Sequence, residues 1–386
     1  MNHIEISDAI RYIGVDDTDI DLFESQYIVP NGVSYNSYVI LDEKIAVMDT
    51  VDARKTTEWL QNLATVLNGR TPDYLIISHL EPDHSGSILA FTKQYPDTTL
   101  VLSAKALAML PQFFALPEVS CTAVKEGDTL SLGSHTLTFV MAPMVHWPEV
   151  MVEYESSEKV LFSADGFGKF GALSHEEDWA CEARRYYFNI VGKYGAPVQT
   201  LLKKAASLDI QTICPLHGPI LTEDLAYYIG KYQTWSSYEP EDDGVLVAAA
   251  SIHGNTLEAA QKMAEILKEK GAKKVAFTDL SRDDMAEAVE DAFRYSKLVL
   301  ACATYDGGLF PSMEDFLHRL KHKAYQKRRV ALIENGSWAP IAAKCMAKEL
   351  EALKDITVCD TIVTIKSCLK EENIAQMKQA ADELLG

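Results

Sequence analysis

Four potential metal ligands fall within six residues, His79-Leu-Glu-Pro-Asp-His84, directly after the apolar run Tyr74-Leu-Ile-Ile-Ser78. A cluster this dense constrains the fold, because the strand that delivers it must end where other ligand-bearing strands end. Pro82 argues against a regular helix here and for a loop whose side chains can turn to one centre. Alone, the segment is also compatible with a solvated polar loop. Three further residues weigh against that. His146 in Ala142-Pro-Met-Val-His-Trp-Pro148, Asp165 in Leu161-Phe-Ser-Ala-Asp-Gly166 and His217 in Ile213-Cys-Pro-Leu-His-Gly-Pro219 each follow an apolar run where it gives way to Gly or Pro. The set His79, Glu81, Asp83, His84, His146, Asp165 and His217 is too large for one ion and suits two that share a bridging carboxylate. Three carboxylates and no thiolate favour iron or manganese over structural zinc.

The chain divides at Trp235-Ser-Ser-Tyr-Glu-Pro-Glu-Asp-Asp-Gly244, a polar, acidic stretch broken by Pro240. Residues 1–240 read as a mixed α/β layered domain. Strands are expected over 34–41, 44–50, 74–78, 99–103, 136–141 and 150–154, with helices over 53–67, 87–94, 105–113 and 177–207. Residues 244–386 alternate apolar β-rich runs with helical patterns in five β-α units, the signature of a doubly wound parallel sheet.

With 36 basic against 56 acidic residues the formal charge is −20, which disfavours nucleic acid as a partner; the one dense basic cluster, residues 321–329, is short. Seven cysteines without a C-x-x-C pair encode no zinc knuckle or rubredoxin-type iron site, and their odd number favours free thiols in a reducing compartment. No signal-like N-terminus and no membrane-length apolar run is present, so a soluble cytoplasmic protein is expected. His3, His135, His175, His318 and His322 read as surface or satisfied polar residues, while Trp147 and Tyr194 are candidates either for the metal pocket or for ordinary packing.

In the C-terminal half the first strand runs into Ser251-Ile-His-Gly-Asn-Thr256 and then a helix. Hydroxyls, a glycine and backbone amides at a helix N-terminus can cradle a terminal phosphate. Neither G-x-G-x-x-G nor G-x-x-x-x-G-K-[ST] occurs there, so a mononucleotide fits better than a dinucleotide or ATP. A plain N-cap is the simpler alternative. Two more loops, Thr304-Tyr-Asp-Gly-Gly-Leu-Phe-Pro311 and Asn335-Gly-Ser-Trp-Ala339, place an aromatic beside glycines, as a flat ring would require.

Tyr35-Asn-Ser-Tyr38, the H-x-E-x-D-H loop, His146-Trp-Pro148 and the Leu216-His-Gly-Pro219 turn resemble the flavodiiron branch of the metallo-β-lactamase-like fold. Glu81 stands where the hydrolase branch carries histidine. The resemblance implies an N-terminal metallo-β-lactamase-like αββα sandwich and a C-terminal flavodoxin-like domain. It implies that His79, Glu81 and His146 hold one iron, that Asp83, His84 and His217 hold the other, and that Asp165 bridges them; His84 does not ligate in every member. It further implies FMN, with Ser251, His253, Gly254, Asn255 and Thr256 around the phosphate, and with Thr304, Tyr305, Asp306, Gly307, Gly308, Gly336, Ser337 and Trp338 around the ring. His253, the Asn335 loop and the short Asp165–His217 spacing depart from the usual pattern.

The implied activity is reduction of O2 to water, of NO to N2O, or of both, with FMN relaying electrons from a separate rubredoxin or flavin reductase, since the chain ends at Gly386 without such a module. A head-to-tail homodimer, or a dimer of such dimers, is expected. The competing readings are a binuclear metallohydrolase and a non-catalytic gas or redox sensor.

Overall fold

A computed structural model describes residues 6–116 and 118–386; the expectation for His3 lies outside them. The chain divides into two compact units, Met1–Tyr186 with Ala196–Tyr232, and Tyr187–Gly195 with Gln233–Gly386.

The first unit is built on two sheets. One has six strands in the order Ile10–Tyr12, Tyr38–Ile40, Ala46–Met48, Tyr74–Ile77, Thr99–Ser103, Cys121–Val124. Its first two junctions are antiparallel and its last three parallel. The other has five strands in the order Thr129–Ser131, Thr136–Met141, Met151–Glu155, Val160–Phe162, Thr212–Cys214. Alternation along the strands decides what meets between the sheets. Tyr38, Ile40, Met48, Ile76 and Val101 from the first pack against Leu137, Phe139, Met151, Val160 and Phe162 from the second. Val39, Val47, Leu75 and Ile77, on the opposite face of the first sheet, are equally buried, as are Trp59 and Leu63 of the helix Thr56–Leu67. Helices over the sheets complete a four-layered αββα sandwich.

Two local expectations are corrected. Pro82 does not keep its segment open. It occupies the first position of a single helical turn, Pro82–Ser85, where its missing N–H costs nothing. The helix expected over 177–207 is interrupted: Trp179–Tyr186 is α-helical, Tyr187–Val191 widens to a π turn, Gly192–Tyr194 tightens to a 3-10 turn, and Gly195–Ala205 resumes. In the interrupted stretch Phe188 stacks on Phe293, centroids 4.2 Å apart and planes 13° from parallel, which ties it to the second unit.

The second unit holds five parallel strands in the spatial order Val275–Asp279, Asp242–Ala250, Tyr295–Tyr305, Arg328–Asn335, Ile356–Ile365. In chain order this is 2-1-3-4-5, the flavodoxin-like doubly wound arrangement. Val245, Val247, Ala249, Val299 and Ile333 face Met263, Leu267, Met377 and Leu384 of the helices Asn255–Glu269 and Glu371–Leu385. Leu246, Ala248, Leu298, Leu300 and Leu332 are buried on the other face. Strands buried on both faces read as continuous apolar runs, as these do. The acidic stretch at 235–244 is shorter as a linker than its composition suggests, because the helix Leu225–Ser236 and the strand Asp242–Ala250 take up both ends. No described helix is long and apolar enough to cross a membrane.

Candidate metal centre

The strand Tyr74–Ile77 ends at Ser78, and the chain turns so that His79, Glu81, Asp83 and His84 enter one space at the end of the sandwich. His146, Asp165 and His217 come from loops after Thr136–Met141, Val160–Phe162 and Thr212–Cys214. Their ligand atoms form two groups, each with all atoms within 4.8 Å of one another: His79, Glu81, His146 and Asp165, and beside it Asp83, His84 and His217.

Asp165 joins the two. Its Oδ2 lies 3.4 Å from His79 Nε2 and 3.2 Å from His146 Nε2, while its Oδ1 lies 3.2 Å from His84 Nε2 and 3.8 Å from His217 Nε2. Glu81 Oε2 stands 2.9 Å from His146 Nε2 and 3.2 Å from His79 Nε2. Asp83 Oδ2 is 3.3 Å from His84 Nε2 and 3.2 Å from His217 Nε2.

These residues fit a pair of metal ions. Both oxygens of Asp83 and of Asp165, both nitrogens of His84 and His217 Nε2 are shut from solvent without a hydrogen bond. Each such group costs about 1–3 kcal/mol, a penalty that coordination removes for the carboxylates and for one nitrogen of each imidazole. Ligand atoms about 2.1 Å from a shared ion stand roughly 3.0–3.4 Å from one another in octahedral or tetrahedral geometry. Most of the distances above have that length.

Outer contacts aim the imidazoles. His217 Nδ1 donates to the carbonyl of Ser34 at 2.7 Å, which leaves Nε2 as the coordinating atom. His79 Nδ1 lies 2.8 Å from Glu149 Oε1, which also accepts the Leu80 N–H at 3.0 Å. Gly218, at φ +80°, turns the chain after His217, and a Cβ there would come within 2.7 Å of Lys169 Cγ. Phe23, Tyr35 and Tyr186 surround the His217 ring at centroid distances of 5.5, 6.0 and 5.5 Å. Trp147 meets His79 edge to face at 5.1 Å; Tyr194 belongs to the second unit.

The electrostatics favour cations. Burial alone would drive His79 toward its neutral form, yet Asp165, Glu149 and Glu81 outweigh it and hold its pKa well above the ordinary value. The same balance raises His84 and lifts His146 to about 9. For Glu81 and Asp165 burial pushes upward, but the imidazoles prevail and hold both below the usual carboxylate range. Positive charge is what this cluster attracts.

Sequence reasoning missed Glu149, Ser34, Tyr186 and Glu24. Glu149, three residues beyond a candidate ligand, carried a usable signal; Ser34 acts through its backbone carbonyl and carried none. Glu24, at φ +49° in the hairpin over the centre, has its carboxyl pushed up to about 7, by desolvation first and then by Glu81. Among the histidines given no role, His135 lies 2.8 Å from Asp42 and 3.2 Å from Glu158. His318 and His322 are exposed neighbours on one helix.

In the second unit a cavity of about 570 Å³ opens where strands Asp242–Ala250, Tyr295–Tyr305 and Arg328–Asn335 end, the crevice where doubly wound sheets bind ligands. Ser251, His253, Asn255, Thr256, Thr304, Tyr305, Asp306, Gly307, Gly336, Ser337 and Trp338 line it, together with Ile252, Ala303, Asn335, Ala339 and Ser367, which the sequence reading left out. Gly254 and Gly308 do not. Gly254, at φ +97°, precedes the helix Asn255–Glu269 and donates its N–H to Ser251 Oγ at 3.0 Å, while Gly308 pairs back onto Tyr305. No described side chain caps that helix, and its first residues, Asn255 and Thr256, line the cavity, where uncapped amides can cradle an anion. Thr304 Oγ1 instead accepts the N–H groups of Ile341 and Ala342 at 3.0 and 3.2 Å. Trp338 is 92% exposed and Tyr305 43%, so each has surface with which to cover a flat ring.

A family model described as ODP family beta lactamase matches residues 33–218, a span that contains all seven metal-ligand candidates. Along nearly its whole length the chain is similar to an uncharacterized protein of Methanocaldococcus jannaschii, 30% identical over 382 residues, 96% of this chain and 95% of the other. It is 27% identical over 347 residues to an anaerobic nitric oxide reductase flavorubredoxin of Vibrio vulnificus, covering 87% of this chain and 70% of that one. Its fold is similar to that of the rubredoxin oxygen:oxidoreductase from Desulfovibrio gigas, with a TM-score of 0.93 at 26% identity over 100% of this chain and 98% of the other.

Proposed function

The chain belongs to the flavodiiron protein family, and from that premise we propose that it is a terminal oxidoreductase that reduces O2 to water, NO to N2O and water, or both, using electrons from an external donor of rubredoxin or flavin-reductase type. The observation that carries this reading is the division of Asp165, one oxygen toward His79 and His146 and the other toward His84 and His217. That is the disposition a bridging carboxylate needs in a two-ion centre. When bound, two irons would supply the redox chemistry and FMN the electron relay.

The chain's own residues position these groups. His79, Glu81 and His146 would hold one iron and Asp83, His84 and His217 the other. Glu149 and the Ser34 carbonyl fix which imidazole nitrogen coordinates, and Phe23, Tyr35 and Tyr186 keep water from one side of His217. In the second unit, Ser251, His253, Asn255, Thr256 and the first amides of the following helix would receive the FMN phosphate, with Tyr305, Gly307, Ser337 and Trp338 about the ring. Electron transfer from FMN of one chain to the irons of a second copy, in a head-to-tail homodimer, is part of the same proposal.

The test is reoxidation. Protein loaded with iron and FMN, reduced without oxygen and mixed with O2 or with NO, is expected to reoxidise its flavin faster than free FMN with at least one gas. If neither gas does so, the reading fails; hydrolysis by zinc-loaded protein would then put a binuclear hydrolase in its place.

A further inference from the structure

Within the first unit, behind two of the metal-ligand loops, lies a cavity of about 20 Å³ walled by Val140, Val152 and Leu161 of the five-stranded sheet, by Val198 and Leu202 of the helix Gly195–Ala205, and by Phe167. Among the described residues no charged side chain lines it. Its two hydroxyls are already engaged: Ser163 Oγ donates to the Gly166 carbonyl at 2.6 Å, and Tyr232 OH accepts the Phe167 N–H at 2.6 Å. A space this size has room for about one water, but a buried water needs two to four polar partners, and these otherwise apolar walls offer little beyond the lone pairs of Ser163 Oγ. An uncharged diatomic loses little hydration on entering and gains dispersion contacts on all sides.

Position gives the cavity its meaning. Among its lining residues are Val145 and Gly166, the covalent neighbours of His146 and Asp165, both buried. Toward the surface it is bounded by Leu201, Ala205 and Leu208, all half-buried. The opening directly over Glu81 and Asp83 is of another kind. It has a volume of about 440 Å³ and is lined by Asp21, Glu24, Asp52 and Arg54. Ile20, Leu22 and Phe23 line it as well, but its charged groups make it the opening suited to water, protons and cations.

We propose that the apolar cavity is a holding site for the uncharged diatomic substrate, O2 or NO, from which it reaches the metal centre between the 142–146 and 163–168 loops, while protons and product water use the charged opening. This rests on the gas-reductase reading of the same centre.

Xenon, an apolar gas probe without chemistry, separates the two. Crystals of the iron- and FMN-loaded protein held under xenon are expected to carry a xenon atom among Val152, Leu161, Phe167 and Val198. Val198→Phe, which fills the space, is expected to abolish that xenon site and to raise the KM for the gas roughly threefold or more at unchanged kcat, the pattern of lost ground-state binding. A wild-type crystal without xenon in the cavity overturns the proposal even if the variant does not fold, and so does an unchanged KM in a folded Val198→Phe. Wild-type protein that takes up xenon but reduces neither gas overturns the functional reading, and with it the cavity's role.

Discussion

Glu149 and His79 meet at 2.8 Å, with one carboxylate oxygen accepting both the imidazole Nδ1–H and the N–H of Leu80. The contact fixes the His79 ring, so that Nε2 points among Glu81 and Asp165. Outer-shell partners of this kind typically contribute 10–100-fold to metal affinity. Glu149→Ala is therefore expected to weaken retention of the ion beside His79 by about 10–100-fold, and Glu149→Gln, which keeps an acceptor, by less. Iron retained against a competing chelator is the measurement; wild-type retention in Glu149→Ala would show that His79 is oriented by packing alone.

Asp165 turns one oxygen to each ligand group, so its loss should act on both. Asp165→Ala is expected to leave the protein without stoichiometric iron and without gas reduction. Flavin binding should survive, because the second unit has its own core and its own cavity. Iron and flavin content of one purified sample test this together. Loss of FMN along with iron would mean that the two units do not fold independently of the centre.

How much of this could be read beforehand depends on which atoms carry the contact. Ligand side chains at strand ends announced themselves, because His or Asp between an apolar run and a Gly or Pro has few structural uses. The parallel order of the second unit followed from apolar runs of strand length alternating with helical periods. Ser34 was invisible because its carbonyl, which any residue possesses, aims His217. The break at Tyr187–Val191 was invisible because its side chains continue the helical apolar pattern while the backbone widens to a π turn. Gly308 sits beside glycine and aromatic neighbours in sequence, yet pairing with Tyr305 turns it from the cavity.

Asn36, in the Tyr35-Asn-Ser-Tyr38 segment, holds the loop that carries His217. Its Nδ2 donates to the carbonyls of Pro215 and Gly218, each at 2.8 Å, and Tyr38 OH donates to Pro215 at 2.6 Å. Asn36→Ala strips both carbonyls of that partner in a buried setting, at a cost of about 1–3 kcal/mol. A lower urea midpoint is expected, along with preferential loss of the ion held by Asp83, His84 and His217. Equal loss of both ions would mean that the loop does not act on His217 alone.

Asp49 and Glu153 share one hydroxyl in the buried interior. Ser78 Oγ lies 2.6 Å from Asp49 Oδ2 and 3.0 Å from Glu153 Oε2, and both carboxyl groups are shut from solvent. One hydroxyl hydrogen can serve one acceptor at a time, so a carboxyl proton must supply the other contact. Burial, and then the charge of Asp49, push Glu153 well above its ordinary value; burial raises Asp49 to about 6. A carboxyl whose folded pKa is raised binds its proton more tightly in the native state. Its contribution to stability is therefore full below the unfolded value of about 4.3 and is lost as pH rises through the folded value. Glu153→Gln, which mimics the protonated form, is expected to cost little at pH 5 and to gain on the wild type as pH rises. Urea midpoints of the two proteins between pH 5 and 9 measure that gap directly. A gap that stays constant, or that favours the wild type at high pH, would mean that Glu153 is ionised in the fold and accepts the Ser78 hydroxyl, with the shared proton on Asp49.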